Sequence, residues 1–243
     1  MASTYTEEPS FTPGENLWDL VESSLTLADR VLLSGPPGTG KTWASRHMGL
    51  PKGAEWFAVT LQEEQPVSDL RGSFMPDGPG KFKWSDGPAV AAWRGGSRLI
   101  IDEIDHADPA VWSLLHAICD DPDIAGFRLP NGEHIRPADG FEVVATMNGD
   151  PEDLPSALAD RFAVKILVDT PHPAAIAGLP EDLRRVAAEL CAAPPNRRVS
   201  LRSWLAFAKL RGEGMSEERA AYLTLGATYV TLLDSIRTGR LAK

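Results

Sequence analysis

The sequence predicts an α/β fold: a five-stranded parallel sheet with flanking helices over residues 15–170, followed by a small all-helical lid over 171–243. Three observations carry that prediction. Short apolar runs alternate with helical patterns up to Val168, as a parallel sheet with crossover helices requires. Beyond Pro171-His172-Pro173 only helical patterns recur. A Gly-rich loop joins the first apolar run to a helix, the connection that exposes backbone N–H groups at a helix start.

Residues 1–14 are polar, end in Thr12-Pro13-Gly14, and read as a flexible arm. Leu17, Leu20, Val21 and Leu25 then fall at helical spacing. Val31-Leu32-Leu33 is a buried strand, and the helix after the loop carries Trp43, Ala44 and Met48 until Gly49 and Pro51 stop it. A second strand spans 56–61. Between Val67 and Trp93 a helical pattern is interrupted by a turn at 76–80 and by Lys81-Phe82-Lys83-Trp84, whose alternation places Phe82 and Trp84 on one face and both lysines on the other. This reads as a β-hairpin insert near 74–86, with helix resuming at Pro88 and ending at Gly95-Gly96. Leu99-Ile100-Ile101 is an aliphatic run suited to a parallel strand buried on both faces. Asp108 is placed to cap a helix carrying Val111, Trp112, Leu114, Leu115, Ile118 and Cys119. Asn131-Gly132 between Phe127 and Ile135 signals a second hairpin, near 127–136. A strand over 141–146, a short helix over 154–161 and a strand over 164–168 complete the core. The tail reads as helices over 181–191, 201–211 and 216–236, the last broken near Gly226.

The chemistry sits where strands end. Gly35-Pro36-Pro37-Gly38-Thr39-Gly40-Lys41-Thr42 has the strand, loop and helix context of a phosphate-binding P-loop. Lys41 would reach the β- and γ-phosphates, and the Thr42 hydroxyl would bind Mg²⁺. Asp102-Glu103 closes the Leu99–Ile101 strand, so these acids face the same edge of the sheet as the loop. Asp102 would hold Mg²⁺ through a water, and Glu103 would orient and deprotonate an attacking water. Asn148 follows the 141–146 strand on that edge and offers a neutral donor to the γ-phosphate or to that water; it is equally able to serve as a loop cap. Trp43 either packs its helix on the sheet, the expected arrangement, or touches a nucleotide base.

Bulk properties bound the remaining choices. Hydrophobic residues make up 43% and charged residues 24%, the balance of a globular chain, and no apolar run is long enough to span a bilayer. The polar start Met1-Ala2-Ser3-Thr4-Tyr5 lacks the features of a secretory leader, so the expected location is the cytoplasm. Cys119 and Cys191 lie in apolar helical patterns far apart, which favours buried thiols over a disulfide or metal site. A net charge of −10 argues against a broad grip on nucleic acid, whose affinity comes mostly from cations on phosphates.

Taken together, Gly35 to Thr42, Leu99 to Glu103, Asn148 and the run Leu154-Pro155-Ser156-Ala157-Leu158-Ala159-Asp160-Arg161-Phe162 resemble the AAA+ ATPases. With the two hairpin inserts, they resemble in particular the MoxR and dynein-related branch, over essentially residues 15–243. The resemblance implies a Mg²⁺-dependent ATPase that assembles as a ring, a hexamer in the expected case. Its implied work is to remodel or mature a client protein or complex, such as one containing a von Willebrand factor A-like protein. It further implies that Arg161 is an arginine finger acting on a neighbouring subunit's nucleotide. Spacing alone also allows an exposed Arg that offsets the helix dipole. Arg202 aligns with the lid's sensor arginine, with Arg197 and Arg198 as rivals. Phe82 and Trp84 either contact a partner around the ring's pore or pack on their own domain.

Two departures temper the likeness. Ile104-Asp105-His106 stands where many MoxR members have an Asn-Arg pair, and no separate recognition domain is expected beside the short lid. A nucleic-acid motor or loader resembling the restriction GTPase McrB is the alternative, which the acidic balance disfavours. An inactive nucleotide-binding scaffold fits poorly with the intact Lys41, Asp102, Glu103 and Asn148.

Overall fold

In the computed structural model, residues 16–226 and 229–238 are described. The arm expected over residues 1–14 lies outside them. Helix α1 (Leu17–Leu27) starts at Asn16, whose side chain accepts from the Trp18 N–H at 3.2 Å, and it buries Trp18, Val21 and Leu25. Strand β1 (Arg30–Ser34) is buried throughout and feeds the Gly-rich loop into α2 (Lys41–His47). Strand β2 (Trp56–Thr60) is half-exposed. Helix α3 (Val67–Arg71), the hairpin β3 (Gly72–Pro76) and β4 (Phe82–Asp86), and α4 (Pro88–Gly95) follow, so a hairpin does interrupt a helical stretch. Helix α4 opens with Pro at its first position and ends at Gly96, whose left-handed backbone (φ +59°) suits glycine.

Strand β5 (Arg98–Asp102) and α5 (Pro109–Ile118) come next, then the hairpin β6 (Phe127–Arg128) and β7 (His134–Ile135), and β8 (Glu142–Thr146). Asp108 does occupy the cap position of α5, but its side chain makes no capping hydrogen bond. The helix expected over 154–161 is shorter: a 3₁₀ turn at Pro151–Asp153 precedes α6 (Ser156–Ala159), with Pro155 between them denying a continuous helix its N–H. Strand β9 (Val164–Leu167) ends the sheet. The remaining helices are α7 (Pro173–Ala177), which the sequence patterns did not reveal, α8 (Glu181–Cys191), α9 (Leu201–Gly212), α10 (Glu217–Thr224) and α11 (Tyr229–Thr238). No helix among the described residues is long and apolar enough to cross a membrane.

The sheet has five strands in the order β2-β5-β8-β1-β9, and every pairing is parallel. Because side chains alternate across a strand, β1 sends Val31 and Leu33 to one face and Leu32 to the other. The first face packs α1 and α2 through Trp18, Val21, Leu25, Ala44 and Met48. The second packs α3, α4 and α5 through Leu70, Trp93, Leu115 and Ile118. The C-terminal helices enclose a separate core built on Leu183, Val186, Trp204, Phe207 and Leu233. Parallel register brings Ser34, Asp102 and Thr146 to one edge, so the segments that leave β1, β5 and β8 share it.

A buried arginine fixes the α1–α2 layer to that sheet. Arg98, the first residue of β5, is 1% exposed. Its Nη1 donates to the Ser45 and Met48 carbonyls at 3.0 and 2.6 Å, and its Nη2 to the Leu25 carbonyl at 2.9 Å. Its Nε donates to Glu142 Oε1 at 2.7 Å. The carbonyls belong to the ends of α1 and α2, where helices leave acceptors unpaired. Replacing Arg98 with Ala strands these carbonyls away from water and leaves the partly exposed Glu142 carboxylate without its partner. The expected loss is about 3–5 kcal/mol, measured by urea unfolding of Arg98→Ala against the parent chain.

Candidate functional site

The site is built on the loop between β1 and α2. Gly35 has φ +125°, and a Cβ there would lie 2.6 Å from the Val168 carbonyl oxygen, so no larger residue fits. Gly38 (φ +80°) faces Ser200, just before α9, at a distance that would bring a Cβ within 2.9 Å of the Ser200 Cβ. The C-terminal helices therefore close directly over the loop.

Lys41 is 6% exposed and turns its ammonium into the loop. It donates to the Gly35 carbonyl at 2.7 Å, the Pro36 carbonyl at 2.9 Å and Asn148 Oδ1 at 3.1 Å. Burial lowers its pKa to about 8, against the opposing pull of Asp105, Asp102 and Glu103. Asp102 is 5% exposed, and its Oδ1 accepts from Thr42 Oγ1 at 3.0 Å and Thr146 Oγ1 at 2.8 Å. Its Oδ2 meets Arg46 Nη2 at 3.3 Å. Thr146 and Arg46 escaped sequence reasoning. The available signals were the position of Thr146 two residues before Asn148 and that of Arg46 one helical turn after Thr42.

Glu103 has left-handed backbone, φ +57° and ψ +49°, unusual for a residue with a Cβ. This turns the chain sharply off the end of β5, and the Glu103 N–H reaches Thr146 Oγ1 at 3.4 Å. Such a conformation costs about 1–3 kcal/mol and persists only where the surroundings impose it. Its effect is to place Glu103 in a cavity of about 500 Å³ together with Lys41, Thr42, Asn148 and Arg202. A second cavity of about 790 Å³ lies on the other side of the loop, lined by Gly35, Pro36, Asn148 and Arg198. Asn148 thus stands between the two. Of the three candidate lid arginines, Arg202 and Arg198 border these cavities while Arg197 borders neither. Arg198 also commits its Nε to the Ala193 carbonyl at 2.9 Å.

The expectation for Trp43 is corrected. Helix α2 packs on the sheet through Ala44 and Met48, and Trp43, about 100° round the helix, is turned away and 49% exposed. It stacks on His47 with ring centroids 5.0 Å apart and lies 5.6 Å from His172, which in turn meets Trp18 edge-on. Trp43, His172, Gly40 and Leu205 line a largely apolar pocket of about 420 Å³ adjoining the loop.

Arg161 is not at this site. Its Nε donates to the His116 carbonyl at 2.9 Å, and its Nη2 meets Asp120 Oδ2 at 3.4 Å. The Asp120 carbonyl is itself bound by Arg30 at the first residue of β1, whereas the loop leaves that strand's last residue. Phe82 and Trp84 part company. Trp84 packs against the core, contacts Phe74 edge-on and donates to Asp86, whereas Phe82 is 67% exposed beside the similarly exposed Phe74 and Met75. The shared face that alternation predicted is real, but only its Trp84 end reaches the core. Cys119 and Cys191 are buried free thiols, and burial pushes Cys119 up to about 12. Among the described residues, no cluster of three or more His, Cys, Asp and Glu side chains is placed to hold a metal ion.

Comparison with known proteins agrees with this geometry. Residues 30–162, more than half of the chain, match the AAA domain of the dynein-related subfamily. Protein NorQ of Paracoccus denitrificans is 35% identical over 148 residues, 59% of this chain and 54% of that protein. Protein CbbQ of Hydrogenophilus thermoluteolus is 28% identical over 148 residues, with the same shares. Midasin of Dictyostelium discoideum is 27% identical over 186 residues, 74% of this chain but 3% of that protein. The chain spans about half the length of NorQ and CbbQ. With the loop, the acidic strand end and the parallel sheet in their places, the chain belongs to the dynein-related, MoxR-type branch of the AAA+ ATPases.

Proposed function

We propose that this chain hydrolyses ATP at the β1–α2 loop, completes each site with a residue from a neighbouring copy in a ring, and uses the cycle to remodel a client protein. The observation that carries the reading is the convergence of Lys41, Thr42, Asp102, Glu103 and Asn148 at one sheet edge, already linked through Lys41–Asn148 and Thr42–Asp102 hydrogen bonds. The loop amides and Lys41 bind the phosphates. The hydroxyl of Thr42 and the carboxylate of Asp102 are hard oxygen donors of the kind Mg²⁺ takes, and they fit it in that role. Held by these two residues, Mg²⁺ would supply neutralisation of charge on the phosphate oxygens.

Glu103 takes the proton of a water whose oxygen bonds to the γ-phosphorus as the bond to the β–γ bridging oxygen breaks, giving ADP and phosphate. Asn148 orients that water or the γ-phosphate, and Arg202 reads the nucleotide from the C-terminal helices, which act as the lid. The apolar pocket beside Trp43 receives the base. Arg161, anchored by β1's far end, serves a neighbour's nucleotide. A hexamer and a client complex containing a von Willebrand factor A-like protein are what the family resemblance favours. The exposed Phe74, Met75 and Phe82 at the hairpin tip suit contact with a protein client.

Lys41→Ala should abolish ATP binding, whereas Glu103→Gln should bind ATP normally and turn over at least a hundredfold more slowly, by about the scale of a lost general base. Equilibrium binding of a fluorescent ATP analogue and phosphate release separate the two, and undiminished release by Glu103→Gln refutes the assigned base. Trp43→Ala should weaken ATP binding by about tenfold, the scale of one aromatic stacking contact, and leave the affinity for inorganic tripolyphosphate unchanged. Arg161→Ala should bind ATP and hydrolyse it poorly. Mixing it with Lys41→Ala subunits should recover activity at interfaces that pair an intact loop with an intact Arg161. Mixed rings, verified by native mass spectrometry, that show no recovery would falsify action in trans.

A further inference from the structure

Asp102 has a second cationic neighbour besides Lys41, one that the motif does not include. Asp102 is an almost fully buried carboxylate, and an ionised carboxylate in that position needs a compensating charge. The Lys41 ammonium is occupied by two loop carbonyls and Asn148. Among the described residues, the cation in ionic contact with Asp102 is Arg46, through Nη2 and Oδ2 at 3.3 Å. That contact is long for a charge-assisted hydrogen bond, and the Arg46 Nε is buried with no hydrogen-bond partner. The guanidinium also lies over the ring of Trp56 on β2, with Cζ 5.5 Å from the ring centroid. Arg46 borders the same cavity as Thr42 and Glu103.

We propose that Arg46 is a resident counter-ion that holds Asp102 in place until a divalent cation takes over, and that Trp56, over which the guanidinium already lies, is the surface that keeps it once Asp102 is given up. The inference rests on the nucleotide and Mg²⁺ reading of the site given above. A divalent ion shared by Thr42 and Asp102 would stand within a few ångströms of the guanidinium, and like charges at that range repel. Arg46 keeps a seat when it gives up Asp102, since its guanidinium already lies over Trp56 and an aromatic face attracts a guanidinium. The weak grip on Asp102 is therefore functional: a bidentate pair would compete too well with the metal, and no pair would leave the carboxylate uncompensated. Arg46 acts through Asp102 and is a positioning residue.

The consequence is a pair of opposite shifts. Removing the charge at Arg46 removes a competitor for the metal, so less Mg²⁺ is needed; it also removes a positive charge from the cavity, so metal-free nucleotide binds less well. The test measures binding of the non-hydrolysable β,γ-imido analogue of ATP by calorimetry, in EDTA and across a Mg²⁺ titration. Arg46→Gln should lower the half-saturating Mg²⁺ by about fivefold and weaken metal-free binding by about as much, the scale of one partly screened ion pair. Arg46→Lys should stay near the parent value. Trp56→Leu, which leaves Asp102 untouched, should raise the half-saturating Mg²⁺ by about twofold because the displaced guanidinium loses its seat. If Arg46→Gln does not fold, the Trp56→Leu shift decides alone. Unchanged Mg²⁺ requirements, or a loss of affinity equal with and without Mg²⁺, overturn the proposal and make Arg46 a structural contact. A parent chain that binds no nucleotide under either condition overturns the reading of the site itself.

Discussion

The arrangement of the site depends on a buried ammonium that no carboxylate among the described residues contacts directly. Lys41 has three donors, and the Gly35 carbonyl, the Pro36 carbonyl and Asn148 Oδ1 account for three acceptors, so its hydrogen bonds are satisfied while its charge is not. Dipoles solvate a cation only partly, and burial accordingly lowers the Lys41 pKa to about 8. A direct ion pair with Asp102 would have stabilised the empty site. It would also have consumed the attraction meant for a phosphate. The carboxylates instead stand back, close enough to act on Lys41 through space, while Asp102 is held by Thr42, Thr146 and Arg46.

That separation of charges has to be imposed by the scaffold, and the parallel sheet imposes it. Register aligns the ends of β1, β5 and β8, so the loop, Asp102 and the strand before Asn148 meet without any of them reaching far. Arg98 binds the last carbonyls of α1 and α2 from beneath, which sets where α2, and with it Lys41, Thr42 and Arg46, begins. The left-handed turn at Glu103 is a point of backbone strain at the site, and it sends two adjacent acids into different surroundings. Asp102 is turned in toward threonine hydroxyls, and Glu103 is turned out into the cavity.

Much of this was legible in the sequence because it depends on local rules. The Gly-rich loop, the aliphatic strand ending in two acids, Pro88 and Gly96 around α4, and the separate helical tail each follow from turn, cap or periodicity signals. What was hidden depends on how elements face one another. Trp43 looked like core because it is large and apolar, but Ala44 and Met48 take the sheet-facing side of α2 and the tryptophan is carried round to the cavity. Alternation put Phe82 and Trp84 on one face correctly, yet could not show that the domain surface ends between them. Arg46 and Asp102 are 56 residues apart, and no spacing rule links them.

The placement of Arg161 bears on the proposal that each site is completed by a neighbouring copy. Its contacts, the His116 carbonyl and Asp120, lie by the end of α5, and Arg30 ties that same segment to the first residue of β1. The loop leaves the opposite end of β1, so the length of a central, buried strand separates Arg161 from Lys41 of its own chain. No side-chain rotation bridges a strand, and bending β1 would break the pairing with β8 and β9 on either side of it. On the proposed reading, Arg161 is therefore not the cation that its own chain's nucleotide draws on as charge develops in phosphoryl transfer. The same geometry that denies Arg161 to its own loop is the reason the proposed ring assigns it the nucleotide of a neighbouring copy.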